Sequence, residues 1–274
     1  VSQRIQIDNI QRLSADCTKS RFEQRLRRKV FRLAIGEEMP DPAERQSVLE
    51  SITNRMEELL YLFDRDKIRA LLLLFNIATL LQNRRSNIRF QFDSFKSERW
   101  DIEHIRSVAA DRPERHHYRK LWLQNALGYL ESQNFEEDLQ EDIRQFLNLS
   151  QVDAVNEIYD PLYERVLAYF HETSSAEADH GISNLTLLDE HTNRSYKNAV
   201  FAVKRQRLLD LDQAGIFVPL CTRNVFLKCY SPHVDNMMFW GEDDRGGYFA
   251  SIADVLTNFF RAEEHTSELQ SLSH

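Results

Sequence analysis

A mostly helical α+β protein is what this sequence predicts, on three observations. Only seven Gly and six Pro occur among 274 residues, too few for a turn-rich all-β chain or a collagenous one. Leu, Glu, Arg and Gln are plentiful, and apolar residues recur at three- and four-residue steps over most of the length, the period of an amphipathic helix. In two short stretches, residues 87–93 (NIRFQFD) and 100–105 (WDIEHI), the period falls to two, which marks strands.

Each element follows from its local pattern. Residues 1–85 read as helices, with Arg25, Arg27, Arg28 and Lys29 crowded together and a loop at Met39-Pro40-Asp41-Pro42. Residues 47–63 place Val48, Ile52, Met56, Leu59, Leu60 and Phe63 on one helical stripe. Residues 67–81 are apolar nearly all round, as in a helix buried within a bundle. Beyond the two strand candidates, residues 114–172 return to helical spacing, and their acidic run 136–142 reads as a solvated face. Small polar residues at 172–179 form a loop, 182–188 a further strand, 192–209 a helix, and about 248–260 a last helix.

Composition narrows the function. With 35 Lys and Arg against 43 Asp and Glu, the net charge is -8. Any nucleic-acid contact must therefore come from a local basic patch. Residues 191–209 supply one: Arg194, Lys197, Lys204, Arg205 and Arg207. The longest apolar run, residues 70–75, is too short to span a bilayer. Three cysteines without a C-x-x-C pair argue against a disulfide scaffold or zinc knuckle and fit a cytoplasmic protein, with Cys221 and Cys229 as small buried apolar residues. His116 and His117 lie in a charged helical stretch and read as surface.

The residues that carry chemistry lie in two blocks. WDIEHI at 100–105 ends a strand on Glu103 and His104, and HGISNLTLLDEHTNRSYKNAVFAVKRQ at 180–206 places Asn184 before a strand and Asn193 nine positions later at a helix start. Taken alone, Asn184 suits a turn and Asn193 a helix cap. His180 suits a phosphate contact or a plain polar site, and His191 an auxiliary ligand.

Together the blocks resemble the His-Me finger (HNH) nucleases, whose ββα unit holds one divalent metal. An acid precedes the catalytic His, as Glu103 precedes His104; an Asn opens N-L-x-x-L, as at Asn184; and N-x-x-x-x-N-x-x-F-x-x-K appears as Asn193, Asn198, Phe201 and Lys204. Over roughly residues 55–260 the order of LLLLFNIATLL, RFQFDSF, WDIEHI, NLTLL, GIFVPLCTRNVFLKCYS and the late Trp240 followed by Asp243 is similar to the GmrSD-type modification-dependent restriction enzymes. The chain departs from that pattern in lacking the glutamine- and arginine-containing N-terminal signature, in carrying Arg106 where a second His often follows, and in lacking the proline common after the catalytic His.

The resemblance implies a metal-dependent DNA endonuclease. His104 would be the general base, since imidazole titrates near neutrality. Asn184 would brace the loop beside it. Glu103 and Asn193 would ligate magnesium or manganese through hard oxygens. Arg194, Lys197, Lys204 and Arg205 would contact the phosphates of double-stranded DNA, including modified phage DNA. It also implies residues 1–86 as the remnant of a larger N-terminal part joined to a nucleotide-hydrolysing domain or subunit, and residues 87–262 as the nuclease domain with a helical insertion at about 112–178. A catalytically degenerate DNA-binding or scaffold module of the same architecture is the alternative, and a helical interaction platform a third. The opening Val1 reads as an excised fragment, and residues 263–274 (EEHTSELQSLSH) as a non-native tail translated from an adapter oligonucleotide.

Overall fold

The computed structural model describes residues 7–83, 87–97, 99–106, 112–133, 136–151, 153–172, 179–190, 199–233 and 236–261. Among them the chain is mostly helical with one small antiparallel sheet. It forms two compact units, Val1–Phe90 with Phe249–His274, and Gln91–Tyr248. The first unit therefore recruits C-terminal residues that the sequence pattern assigned to the second.

In the first unit, α1 (Ile7–Ser14), α2 (Lys19–Ile35), α3 (Arg45–Glu58) and α4 (Tyr61–Gln82) succeed one another. Thr18 caps α2 by accepting from the Arg21 amide, and Gly36 ends it in the left-handed conformation at φ 98°. Val48, Ile52, Met56 and Leu59 are buried as their spacing predicts, but Leu60 and Phe63 are exposed, Phe63 by 81%. The stripe breaks because α3 stops at Glu58 and the extended Leu59 and Leu60 restart the chain as α4 in a new direction. Within α4, Ile68, Leu71, Leu72, Leu74, Phe75, Ala78 and Leu80 are core. The long last helix, α11 (Glu242–Arg261), begins six residues before the expected start. Its Phe260 packs edge-on against Phe31, and Arg261 donates to the Pro42 carbonyl.

The second unit holds α5 (Phe92–Ser97), β1 (Trp100–His104), α6 (His116–Gln133), α7 (Glu137–Asn148), α8 (Asn156–Tyr169), β2 (Leu185–Asp189), α9 (Phe201–Gln213), α10 (Leu220–Phe226) and the start of α11. Residues 87–93 are not the expected strand: Asn87 to Gln91 are irregular and Phe92 opens α5. The alternation there finds no partner strand among the described residues, and a strand without a ladder leaves its backbone groups unpaired. β1 does form, pairing antiparallel with β2 from Trp100↔Asp189 to His104↔Leu185. Nearly every residue of both strands is buried. A 3₁₀ turn, Ile182–Asn184, leads into β2 where strand was expected from residue 182. α9 starts at Phe201 behind an extended Val200. It is not the continuation of a helix from Thr192, and residues 191–198 lie outside those described.

Among α6, α7 and α8, Trp122, Leu130, Ile143, Phe146, Tyr159 and Val166 form the core, and the acids of 136–142 face solvent or pair with Arg165. Cys221 is buried; Cys229 is exposed, contrary to expectation, because the turn after α10 carries it outward. No described helix is long and apolar enough to cross a membrane.

Candidate functional site around the end of strand β1

The ladder between β1 and β2 ends at His104, and the residues beyond it hold that end still. The Ile105 amide donates to the Asn184 carbonyl at 2.8 Å. The side chain of Asn184 then takes over. Its Oδ1 accepts from the Arg106 amide at 2.9 Å, while its Nδ2 donates to the Arg106 carbonyl and to the Asp179 carbonyl, each at 3.1 Å. One acceptor and two donors on a short stem are what an asparagine amide offers. Asn184 is 1% exposed, and its partners Arg106 and Asp179 are half-buried, so these bonds are partly shielded from water.

Successive strand residues point to opposite faces, so Glu103 and His104 diverge. His104 meets His180, its Nε2 lying 3.3 Å from His180 Nδ1 with the rings inclined by 63°. The His180 segment is pinned on both sides. Asp179 accepts from the Gly181 amide and from Arg245, and the buried Trp240 indole donates to the Ser183 carbonyl. Trp240 also stacks on Phe201 at the start of α9, which stacks in turn on Phe226 of α10. This ties the segment before β2 to the two helices that come after it.

On the other face, Glu103 receives the ammonium of Lys204, with Nζ 2.6 Å from Oε1. The same Nζ donates to the His104 carbonyl at 2.7 Å. Lys204 is 1% exposed. Its expected role as a phosphate contact is therefore corrected: it falls on the inward side of α9, where the apolar Phe201 and Leu208 are also buried. The stem packs in the core and the charge meets a carboxylate there. Arg205, the next residue, is half-buried. Asn193, Arg194 and Lys197 lie outside the described residues.

Glu172, just after α8, is a residue that no sequence pattern singles out. It is buried, and its carboxylate accepts from the Phe201 amide at 2.9 Å, capping α9 from a distant part of the chain. Burial pushes its carboxyl above the ordinary range, against the opposing pull of the Phe201 amide, Lys204 and Arg106. No periodicity marks such a residue, since its role depends on where α8 ends in space. Arg106 places its guanidinium over the Phe239 ring, 5.1 Å from the centroid, an ordinary cation–π seat. Beyond Trp240, the acid that matters structurally is Asp244 rather than Asp243. Asp244 is buried and takes Lys228 at 2.7 Å, the Gly241 amide and the Ser231 hydroxyl.

The described donors do not assemble a divalent-metal shell. Glu103 is already ion-paired, the Asn184 amide is used by backbone, and among the described residues no group of three His, Cys, Asp or Glu side chains is placed to hold an ion. The arrangement offers instead an imidazole pair beside a braced turn, backed by a buried carboxylate–ammonium pair. A separate cavity of about 710 Å³ opens at the start of α6, lined by His116 and His117 with Arg115, Arg119, Glu114 and Glu157. It includes none of the residues above, and its mixed charges select no ligand sign. Comparison of the chain with family models, with curated proteins and with solved structures finds no match.

Proposed function

We propose that this chain is a DNA endonuclease of the HNH type, acting in restriction of invading, modified phage DNA, with His104 as the general base. The observation that carries the reading is the pairing of β1 with β2 such that His104 closes the ladder and Asn184 braces the turn beyond it. Hydrolysis of a phosphodiester needs a base that removes a proton from water at neutral pH, and a fixed imidazole meets that need. Held at 3.3 Å from His104 Nε2, His180 keeps that imidazole in one orientation. Magnesium or manganese, and a nucleotide-hydrolysing N-terminal partner, belong to the proposal as what the resemblance implies. The residues proposed to contact phosphates are Arg194, Lys197 and Arg205, without Lys204.

The test is plasmid nicking by the chain with magnesium or manganese, with and without nucleotide, on plain and glucosylated hydroxymethylated DNA. His104→Ala should lower the rate by about 10²–10⁴, the usual contribution of a general base, with the circular dichroism spectrum and melting transition retained. Equal nicking by a folded His104→Ala protein rejects the assignment. A catalytically degenerate DNA-binding module is the second reading, favoured by one observation: the carboxylate that the resemblance gives to the metal is held by Lys204. It predicts DNA binding without cleavage under every condition above.

A further inference from the structure

We infer that the Lys204 ammonium is the resident cation of the Glu103 carboxylate, so that Glu103 holds no divalent ion and Lys204 instead positions the strand end bearing His104. The inference concerns the same site as the nuclease reading and rests on it for the importance of His104, but its geometry stands without it.

Three features carry it. Nζ lies 2.6 Å from Glu103 Oε1 and 2.7 Å from the His104 carbonyl, so two of its three donors are spent on oxygens of consecutive residues. A carboxylate and a carbonyl at these separations form the oxygen cradle that a hard cation would otherwise take. Second, the ammonium is 1% exposed and its helix is anchored on both sides of it: the Lys204 amide donates to Val200, and the Phe201 amide to Glu172. These bonds hold the backbone that carries Lys204, and with the side chain buried and its Nζ on two oxygens, leaving the site would break both contacts. Third, a divalent ion on Glu103 would sit a few ångströms from that ammonium in a buried site, where water does little to screen like charges. Glu103 and Lys204 form a neutral pair, and no cluster of three His, Cys, Asp or Glu side chains stands among the described residues to hold a second cation beside it.

By bridging Glu103 to the His104 carbonyl, Lys204 also fixes the backbone from which the imidazole projects. It acts through His104 and is a positioning residue.

Manganese binding, followed by electron paramagnetic resonance, and thermal melting with and without manganese decide the matter in four proteins: the parent chain, Glu103→Gln, Lys204→Met, and the double variant. The parent and Glu103→Gln should bind manganese alike, within about twofold, well inside the tenfold that corresponds to losing one ligand worth about 1.4 kcal/mol. Lys204→Met should melt lower and regain melting temperature as manganese is added, because its uncompensated carboxylate now takes the ion. The double variant should melt above Lys204→Met and lose the manganese response. A tenfold or greater loss of manganese affinity in Glu103→Gln makes Glu103 a metal ligand and overturns the inference, as does a folded Lys204→Met protein that melts like the parent. Should Lys204→Met not fold, Glu103→Gln still decides. Since no readout is cleavage, an inactive chain rejects the nuclease reading and leaves this result intact.

Discussion

Asn184 extends the β1–β2 ladder by one rung with a side chain in place of a backbone. Arg106 both donates to it and accepts from it, the exchange that a paired strand residue would make. Alanine at this position removes three hydrogen bonds and leaves half-buried backbone groups of Arg106 and Asp179 without those partners. Asn184→Ala should therefore cost roughly 2–4 kcal/mol, taking about 1 kcal/mol for each bond removed, measured as a lower urea midpoint. If the turn sets His104, the same variant should also lose nicking activity, whereas His104→Ala should lose activity with little change in the urea midpoint. Equal midpoints for Asn184→Ala and the parent would show that the bonds are made to water as readily as to the side chain. Lys204 and Glu103 make the complementary point. Removing one partner of a buried pair is costly, typically about 3–5 kcal/mol, so either single substitution should destabilise more than replacing both.

Elements in the second unit are held by residues that lie far away in sequence. α9 begins behind Val200 with no side-chain cap of its own, and its first amide is satisfied by Glu172, 29 positions earlier. The cap ties the end of α8 to the start of α9, and it carries a pH signature. Because burial raises the Glu172 carboxyl above its unfolded value of 4.5, the folded state holds the proton more tightly than the unfolded chain. Stability from this group is fully present below that value and is lost as pH rises through the raised folded value. Glu172→Gln keeps an oxygen for the Phe201 amide and removes the titration. The stability of the variant relative to the parent should therefore increase as pH is raised from about 4 to about 7, read from urea midpoints at each pH. A difference that stays constant, or falls, would mean that Lys204 and Arg106 outweigh burial.

At the scale of the whole molecule, the net charge of -8 opposes approach to DNA, so the proposed DNA binding requires a local basic segment, and residues 191–209 are the one to test. With Lys204 withdrawn into the core, Arg194, Lys197 and Arg205 are the residues to replace. Their triple alanine variant should weaken binding to every duplex alike and flatten the plot of log affinity against log salt by up to about 0.9 for each phosphate no longer neutralised. The measurement uses calcium-loaded or metal-free protein to prevent cleavage. Lys204→Met in the same assay should leave the slope unchanged, since its ammonium already has a partner. A triple variant with the parent's slope would make this segment a solvated face.

Much of this fold was legible in the sequence by itself. Because a helix records its buried stripe every three to four residues, helical spacing marked the helical character of residues 47–58, 67–81 and 114–172, though not the break after Glu58 or the division of 114–172 into three helices. Period-two alternation at residues 100–105 located β1, and the short strand expected at 182–188 located β2 except for its first three residues, which form a 3₁₀ turn. The same alternation at residues 87–93 misled, since a strand exists only when another strand completes its hydrogen bonds, and no local pattern reports that. Only the tertiary structure decided which way Lys204 faces. Its position in a basic run made it look like a phosphate contact, but charge runs are read along the chain and burial is set across it. Glu103, far earlier in the chain, is the partner that turns an apparent surface lysine into a buried counter-ion. Glu172 was invisible for the same reason: a carboxylate becomes a helix cap only where folding carries it to a free amide, and that meeting belongs to the packed molecule rather than to any segment of it.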